Sequence, residues 1–354
     1  MRSNYPFNCW YVAATTDEVG EGLLARRLLG KFVVLYRRGS GDVVAMEDRC
    51  LHRAYPLSAG RRDGDRLVCG ADGFVYDYDG RLVDVPSQEN VPPGARVRTY
   101  PAYERSPFVW IWLGDPGVAA LRPPPRIPWY GDGTGWASTT EVLRIKANYL
   151  LLHEHYLDLT DVFVLHPEAV PPNVEVLPQL DEVEVSERSV SYSREIPASG
   201  LAPWEAEITG LPADTPGNRV EEGTFVSPAL HVQHYVIATG DRSGDGKGRA
   251  LLRIQGFTPE TPQTTHVFLQ MARDFATDNA DVGEFLRTMF HEWALRDAVV
   301  LETIQSRLDE EPVPRRDLNV KADRAAVRAR RIAMDMVDEE TGRSMLNRML
   351  AVPR

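Results

Sequence analysis

Cys50-Leu-His52 and Cys69-Gly-Ala-Asp72 are separated by sixteen residues. Each stretch opens a short turn with a cysteine and follows it with a second potential ligand. This is the sequence form of a metal clamp, in which two chelating turns each offer a soft thiolate and one further donor. The surrounding residues indicate a small antiparallel β domain. Short β-rich runs (Phe32-Val-Val-Leu-Tyr36, Asp42-Val-Val-Ala-Met46, Arg66-Leu-Val-Cys69, Phe108-Val-Trp-Ile-Trp-Leu113) alternate with turn signals such as Gly39-Ser-Gly41, Asp63-Gly64, Asp79-Gly80 and Pro92-Pro-Gly94.

A chain of 354 residues is long enough for more than this one domain. Residues 114–135 are dense in proline and glycine, which places a linker at 118–135 between a β domain at 1–117 and a second domain at 136–354. In that second part, strands are expected near 138–146, 175–196, 220–238, 249–257 and 264–272. Helices are expected from Tyr149 to about Val164, from about Asp281 to Leu308, and near 320–337. Residues 198–222, rich in Gly, Pro and acidic residues, read as a loop over a pocket. A net charge of −11 argues against nucleic-acid binding. No apolar run approaches the ~20 residues of a membrane helix. The N-terminus lacks a basic-then-apolar leader, so the expected location is cytoplasmic. Cys9, Cys50 and Cys69 do not suggest a disulfide framework.

Taken together, the motifs give the chain a strong family resemblance. It resembles the Rieske non-heme iron oxygenases of the vanillate and dicamba O-demethylase type. The match runs from Pro6-Phe-Asn-Cys-Trp10 through the Cys50–Asp72 loops. It continues through Asn148-Tyr-Leu-Leu-Leu-His-Glu-His-Tyr-Leu-Asp158-Leu-Thr-Asp161-Val-Phe-Val-Leu-His166-Pro and ends at Arg296-Asp297 to Gln305. The resemblance implies an α+β protein with an N-terminal Rieske-type antiparallel β domain and a C-terminal helix-grip (START-like) catalytic domain, assembled as a homotrimer. It implies a 2Fe-2S cluster on Cys50, His52, Cys69 and the residue at 72, and a mononuclear Fe(II) on two histidines and a carboxylate. Those three ligands fall on positions 161, 166 and 297. Asp158 takes the place of the aspartate that bridges the two centres between neighbouring subunits.

Both centres depart from the pattern. Asp72 stands where the second loop should close with histidine, and a hard, shorter anionic ligand there lowers the cluster potential. Asp161 stands in place of the first iron histidine, which leaves His166 with two carboxylates, Asp161 and Asp297. His155 stands where the demethylases usually carry asparagine, and it can restore the missing nitrogen. With reduction and oxygen activation both altered, the leading expectation is a redox-neutral enzyme without bound cofactors. It would use His155, Asp158, Asp161, His166 and Asp297 for acid–base cyclisation or rearrangement of an apolar small molecule or natural product. The alternative is an active monooxygenase or O-demethylase with a Cys-His-Cys-Asp cluster and a retuned iron site of His155, Asp161, His166 and Asp297. A further alternative is a silent partner subunit of a competent oxygenase. The chain has no nucleotide motif, so electrons would come from a separate reductase.

Other residues take blander readings. Trp10, Trp110 and Trp112 are expected in the core. His231 and His234 should face opposite sides of a strand, and His266 is expected to face the cavity. The basic run Lys321–Arg331 fits a solvated helix face.

Overall fold

The computed structural model describes residues 5–126, 135–180, 182–239, 248–311 and 318–342. The chain divides into two units, one of residues 7–126 with 258–262 and the other of the remainder. Residues 127–134 of the expected linker lie outside the described residues. No helix among the described residues is long and apolar enough to cross a membrane.

The first unit contains β1 (Trp10–Thr15), β2 (Leu24–Leu28), β3 (Lys31–Arg37), β4 (Val43–Glu47), β5 (Arg61–Asp63), β6 (Arg66–Val68), β7 (Val75–Tyr76), β8 (Leu82–Asp84), β9 (Thr99–Tyr100), β10 (Ala102–Arg105) and β11 (Phe108–Trp112), followed by the one-turn α1 (Pro116–Ala119). They form three antiparallel sheets, β1-β11-β10, β2-β3-β4-β9 and β5-β6-β7-β8. All three expected core tryptophans are buried. The β3–β4 sheet packs Val34, Tyr36, Val44 and Met46 against Leu67 and Tyr76, and Cys50 and Cys69 sit within that same core. The two cysteine loops share one backbone design. The Cys50 carbonyl accepts from the Ala54 N–H at 3.0 Å, and the Cys69 carbonyl accepts from the Gly73 N–H at 3.0 Å. Each loop turns back through a left-handed residue, Ala54 at φ 58° and Gly73 at φ 71°.

The second unit is a seven-stranded antiparallel sheet crossed by a long helix. Its strands are β12 (Ala137–Ile145), β13 (Glu182–Val185), β14 (Val190–Ser199), β15 (Gly217–Ser227), β16 (Leu230–Thr239), β17 (Arg249–Thr261) and β18 (Thr264–Arg273), in the order β12-β18-β17-β16-β15-β14-β13. The helices are α2 (Tyr149–Asp158), α3 (Val162–Leu165), α4 (Pro203–Thr209), α5 (Ala280–Glu310) and α6 (Arg324–Glu340). The apolar stripe of α5 (Leu286, Met289, Phe290, Trp293) packs on Ile237, Leu251 and Met271 of the sheet. The basic run expected to be a solvated face forms α6, which buries its alanines and pairs Arg330 with Glu154 on α2.

Three expectations change in detail. The strands anticipated at 175–196 and 220–238 include two hairpins, β13–β14 and β15–β16. The helix expected over 149–164 breaks after Asp158. Leu159 takes φ 56°, Asp158 accepts from the Thr160 N–H and Oγ1, and Pro167 keeps His166 out of helical geometry. Residues 198–222 form α4 and the start of β15, with no long loop. Fully buried Arg219 pins that segment. It forks the Glu205 carboxylate and donates to Ser199 Oγ at 2.9 Å and to the Gly200 carbonyl at 2.8 Å. Removing one member of a buried ion pair strands the other charge. Arg219→Met should therefore lose roughly 3–5 kcal/mol of stability in urea unfolding, with Arg219→Met/Glu205→Leu recovering part of it. Wild-type stability in the single variant would contradict this role.

Candidate functional site

The break in α2 is what assembles the site. Asn148 caps the helix by accepting from the Leu150 N–H at 2.9 Å, and His155 lies in its last turn. The chain then reverses at Leu159, brings Asp161 back beside the helix end, and delivers His166 after the single turn of α3. The middle of α5 supplies Asp297 from the opposite side.

These four side chains converge. His166 Nε2 lies 2.6 Å from Asp297 Oδ1, and His155 Nε2 lies 3.3 Å from the same oxygen. His155 Nδ1 lies 3.5 Å from Asp161 Oδ2. Tyr156, the next residue on α2, donates its hydroxyl to Asp297 Oδ2 at 2.9 Å. Burial opposes charge on Asp297, but its bonds to His155 and His166 outweigh burial and hold the carboxyl well below the usual range. Burial likewise opposes charge on His155, and the Asp297 hydrogen bond with the charges of Asp297 and Asp161 lifts the imidazole above its ordinary value. One ligand-capable atom each from His155, Asp161 and Asp297 falls within 4.8 Å of the others, a spacing that fits a metal ion. Asp161 Oδ2 is buried without a hydrogen-bond partner, so part of the donor set is unused by the protein.

A cavity of about 140 Å³ opens onto this cluster. Its walls are largely apolar, from Leu159 and Leu177 to Leu251, Met271, Phe290 and Trp293, with Glu221, Gln233, Tyr235 and Arg253 as polar exceptions. The polar four were not singled out from sequence, although a signal exists. Gln233 and Tyr235, like Leu251 and Arg253, are two apart on adjacent strands and pair in register, so they share a sheet face. Glu221 is fixed by Tyr192 Oη at 3.0 Å, whose ring lies where a Cβ on Gly223 would be.

Asp158 does not join the cluster. Its carboxylate is engaged with Thr160, and burial pushes its pKa up despite those bonds. His231 and His234 do face opposite ways, His231 bonding buried Gln255 at 2.9 Å and His234 meeting Glu222 at 3.0 Å. His266, expected to face the cavity, is absent from its walls, because the inward positions on β18 include Met271. Asp77 closes its turn by accepting from the Asp79 and Arg81 N–H groups.

In the first unit the clamp residues also meet. Cys69 Sγ receives the backbone N–H groups of Ala71 and Asp72, although burial still pushes its thiol up. Cys50 Sγ lies 3.2 Å from Tyr76 Oη, and His52 Nδ1 lies 2.8 Å from Asp72 Oδ2. The His52 ring stacks on Phe74. Two buried sulfurs facing hydrogen-bond donors and one imidazole supply three donors of a Rieske set, with Asp72 in the place of the fourth.

Comparison with known proteins matches both halves. Residues 9–101 match the Rieske 2Fe-2S domain, and residues 145–339 match the vanillate O-demethylase oxygenase C-terminal domain. The chain belongs to the vanillate O-demethylase family of Rieske oxygenases. Within it, the chain is 32% identical to the oxygenase component of chloroacetanilide N-alkylformylase from Rhizorhabdus wittichii (strain DC-6), over 92% of this chain and 93% of that one. It is 30% identical to the vanillate O-demethylase oxygenase subunit of Pseudomonas sp. (strain HR199), over 93% and 94%. The crystal structure of dicamba monooxygenase bound to 3,6-dichlorosalicylic acid superposes with a TM-score of 0.87 at 27% identity, covering 95% of this chain and 98% of that one. The Rieske-type β unit and the α+β oxygenase unit expected from sequence are thus the observed ones.

Two histidines outside the cluster set a pH dependence. His153 sits among Tyr149, Phe225 and Phe257 and meets the Pro228 carbonyl through Nε2 at 3.0 Å. Burial lowers its pKa from 6.5 to about 3, and burial lowers that of His231 to about 4. His153 Nδ1 and His231 Nε2 are buried without acceptors, so protonating either ring would create a stranded N–H. A histidine whose folded pKa is lowered leaves stability unaffected above the unfolded value and erodes it below. Stability should fall from about pH 6.5 towards pH 4, by up to roughly 1.4 kcal/mol per pH unit for each histidine. Urea midpoints across that range should show a shallower slope in His153→Gln than in wild type, and an unchanged slope would contradict the assignment.

Proposed function

We propose that this protein is an iron-dependent, reductase-driven Rieske-type oxygenase acting on a small, largely apolar molecule, with an iron site rearranged from the family pattern. The observation that carries this reading is the meeting of His155 Nε2 and His166 Nε2 on the Asp297 carboxylate. Two imidazoles and one carboxylate are the facial set that suits ferrous iron. His155, His166 and Asp297 would hold the metal, and Cys50, His52, Cys69 and Asp72 would hold the cluster. When bound, the cluster supplies electrons and the mononuclear iron supplies oxygen activation.

The chain's own residues prepare that site. Asp161 stands behind His155, with Oδ2 3.5 Å from Nδ1, where its charge orients the ring that faces Asp297. Tyr156 orients Asp297 through Oδ2. Phe290, Trp293 and Met271 give the cavity an apolar wall. The redox-neutral reading fits less well. An acid–base pair needs two groups poised for proton transfer; His155 is lifted above its ordinary value, but Asp297 is held well below the usual range and does not supply the second. By family analogy the assembly is a homotrimer in which Asp158 connects the centres, and a separate reductase is the partner.

Protein purified without oxygen and reconstituted with ferrous iron and sulfide should carry roughly three irons and two sulfides per chain, and should consume oxygen only with a reductase and NADH. His155→Asn should keep the cluster and drop to about two irons. A colourless protein, or a His155→Asn variant with undiminished iron, would overturn the proposal.

A further inference from the structure

Glu221 brings an unspent oxygen to the cavity. It stands in the middle of β15, across from Arg194 on one neighbouring strand and Tyr235 on the other, and is 5% exposed. Its Oε1 takes the hydrogen bonds of the protein. The Tyr192 hydroxyl donates to that oxygen at 3.0 Å, the Gln233 amide donates at 3.4 Å, and Arg194 stands 3.6 Å away. Oε2 has no hydrogen-bond partner among the described residues, yet it is not sealed inside the protein as Asp161 Oδ2 is. Because Glu221 is part of the cavity wall, Oε2 is the oxygen presented there.

The position of that oxygen is fixed from behind. Tyr192 has room to reach Glu221 because position 223 is glycine, where a Cβ would lie 2.1 Å from its ring. Arg194, 2% exposed, sets a cation on the protein side of the carboxylate. Tyr235, across the sheet, gives its hydroxyl to Glu205 at 2.8 Å and so leaves Glu221 alone. Gln233 adds a second acceptor, since its amide nitrogen is turned to Glu221 and its carbonyl oxygen remains for the same wall. An enclosed acceptor without a donor is unfavourable, and a bound molecule that donates to it removes the penalty. We infer that Glu221 is a specificity-determining residue, and that the substrate is an apolar aromatic molecule giving one neutral N–H or O–H to Glu221 Oε2. Its body then lies along Leu251, Met271 and Trp293. This inference rests on the oxygenase reading for what becomes of the substrate, and its test does not require turnover.

The test is equilibrium binding to the full-length protein by calorimetry, with and without reconstituted iron. The probes are naphthol and naphthylamine, set against fluoronaphthalene and methylnaphthalene, which bracket the donor group in size and donate nothing. Naphthoate is the anionic control. Both donors should bind roughly ten- to a hundredfold more tightly than both donor-free naphthalenes. Either donor binding ahead of the other upholds the inference and names the head group. Glu221→Gln should erase the preference, because donation from Tyr192 claims the remaining oxygen and turns the new amide N–H groups to the cavity. Glu221→Asp, with a shorter reach, should retain part of it. Donor and donor-free probes binding alike, naphthoate binding most tightly, or an undiminished preference in a folded Glu221→Gln protein would overturn the inference. So would a preference seen only with iron, since the metal would then be the partner. Because the size-bracketed comparison is made on wild type, a misfolded variant leaves it decisive. A preference that persists in protein unable to take up iron would uphold the role of Glu221 while the oxygenase reading fails.

Discussion

The second unit closes around one buried carboxylate. Asp297 is 2% exposed, and an isolated carboxylate at that depth would be strongly unfavourable. It is tolerated because His155, His166 and Tyr156 approach it together, two from the end of α2 and one from beyond α3. That convergence joins the long helix to the broken one and leaves the cavity between them and the sheet. His155, His166 and Tyr156 are all organised around this anion, and the Tyr156 ring also lies beneath Arg253.

The departures from the family pattern also take a simpler form in space than in sequence. Histidine at 155 and aspartate at 161 look like two unrelated changes along the chain. The reversal at Leu159 makes them neighbours, 3.5 Å apart. The imidazole lost at one position is present at the other, and the carboxylate lies behind it, as an outer ligand would. In the first unit Asp72 is a lone change, yet it still faces His52 across the mouth of the clamp, and the buried thiols keep their hydrogen-bond donors.

Much of this was legible in the chain. The alternation of short strands and turns gave the β unit, and the apolar stripe Val282–Trp293 gave α5. The four converging residues were nameable, Asp161, His166 and Asp297 through the family resemblance and His155 through its helical spacing from Asp161. What stayed hidden has physical causes. A left-handed leucine has no strong sequence signal, so α2 read as one continuous helix. The hairpins at 185–190 and 227–230 join strands through tight turns that blend into long β-rich runs. Asp158 shares helical spacing with His155 but ends its helix and turns to Thr160. Arg253 was missed because a cation in a largely apolar strand gains meaning only when the sheet register sets it beside Gln233 in the cavity lining.

The account turns on which residue at the end of α2 holds the metal. Diffraction at the iron absorption edge from crystals of reconstituted protein would locate the ion directly. An anomalous peak within bonding distance of His155 Nε2, His166 Nε2 and the Asp297 carboxylate, with Asp161 behind His155, is the predicted result. A peak bound through Asp161 with His155 turned away, or no iron in this cluster at all, would contradict it.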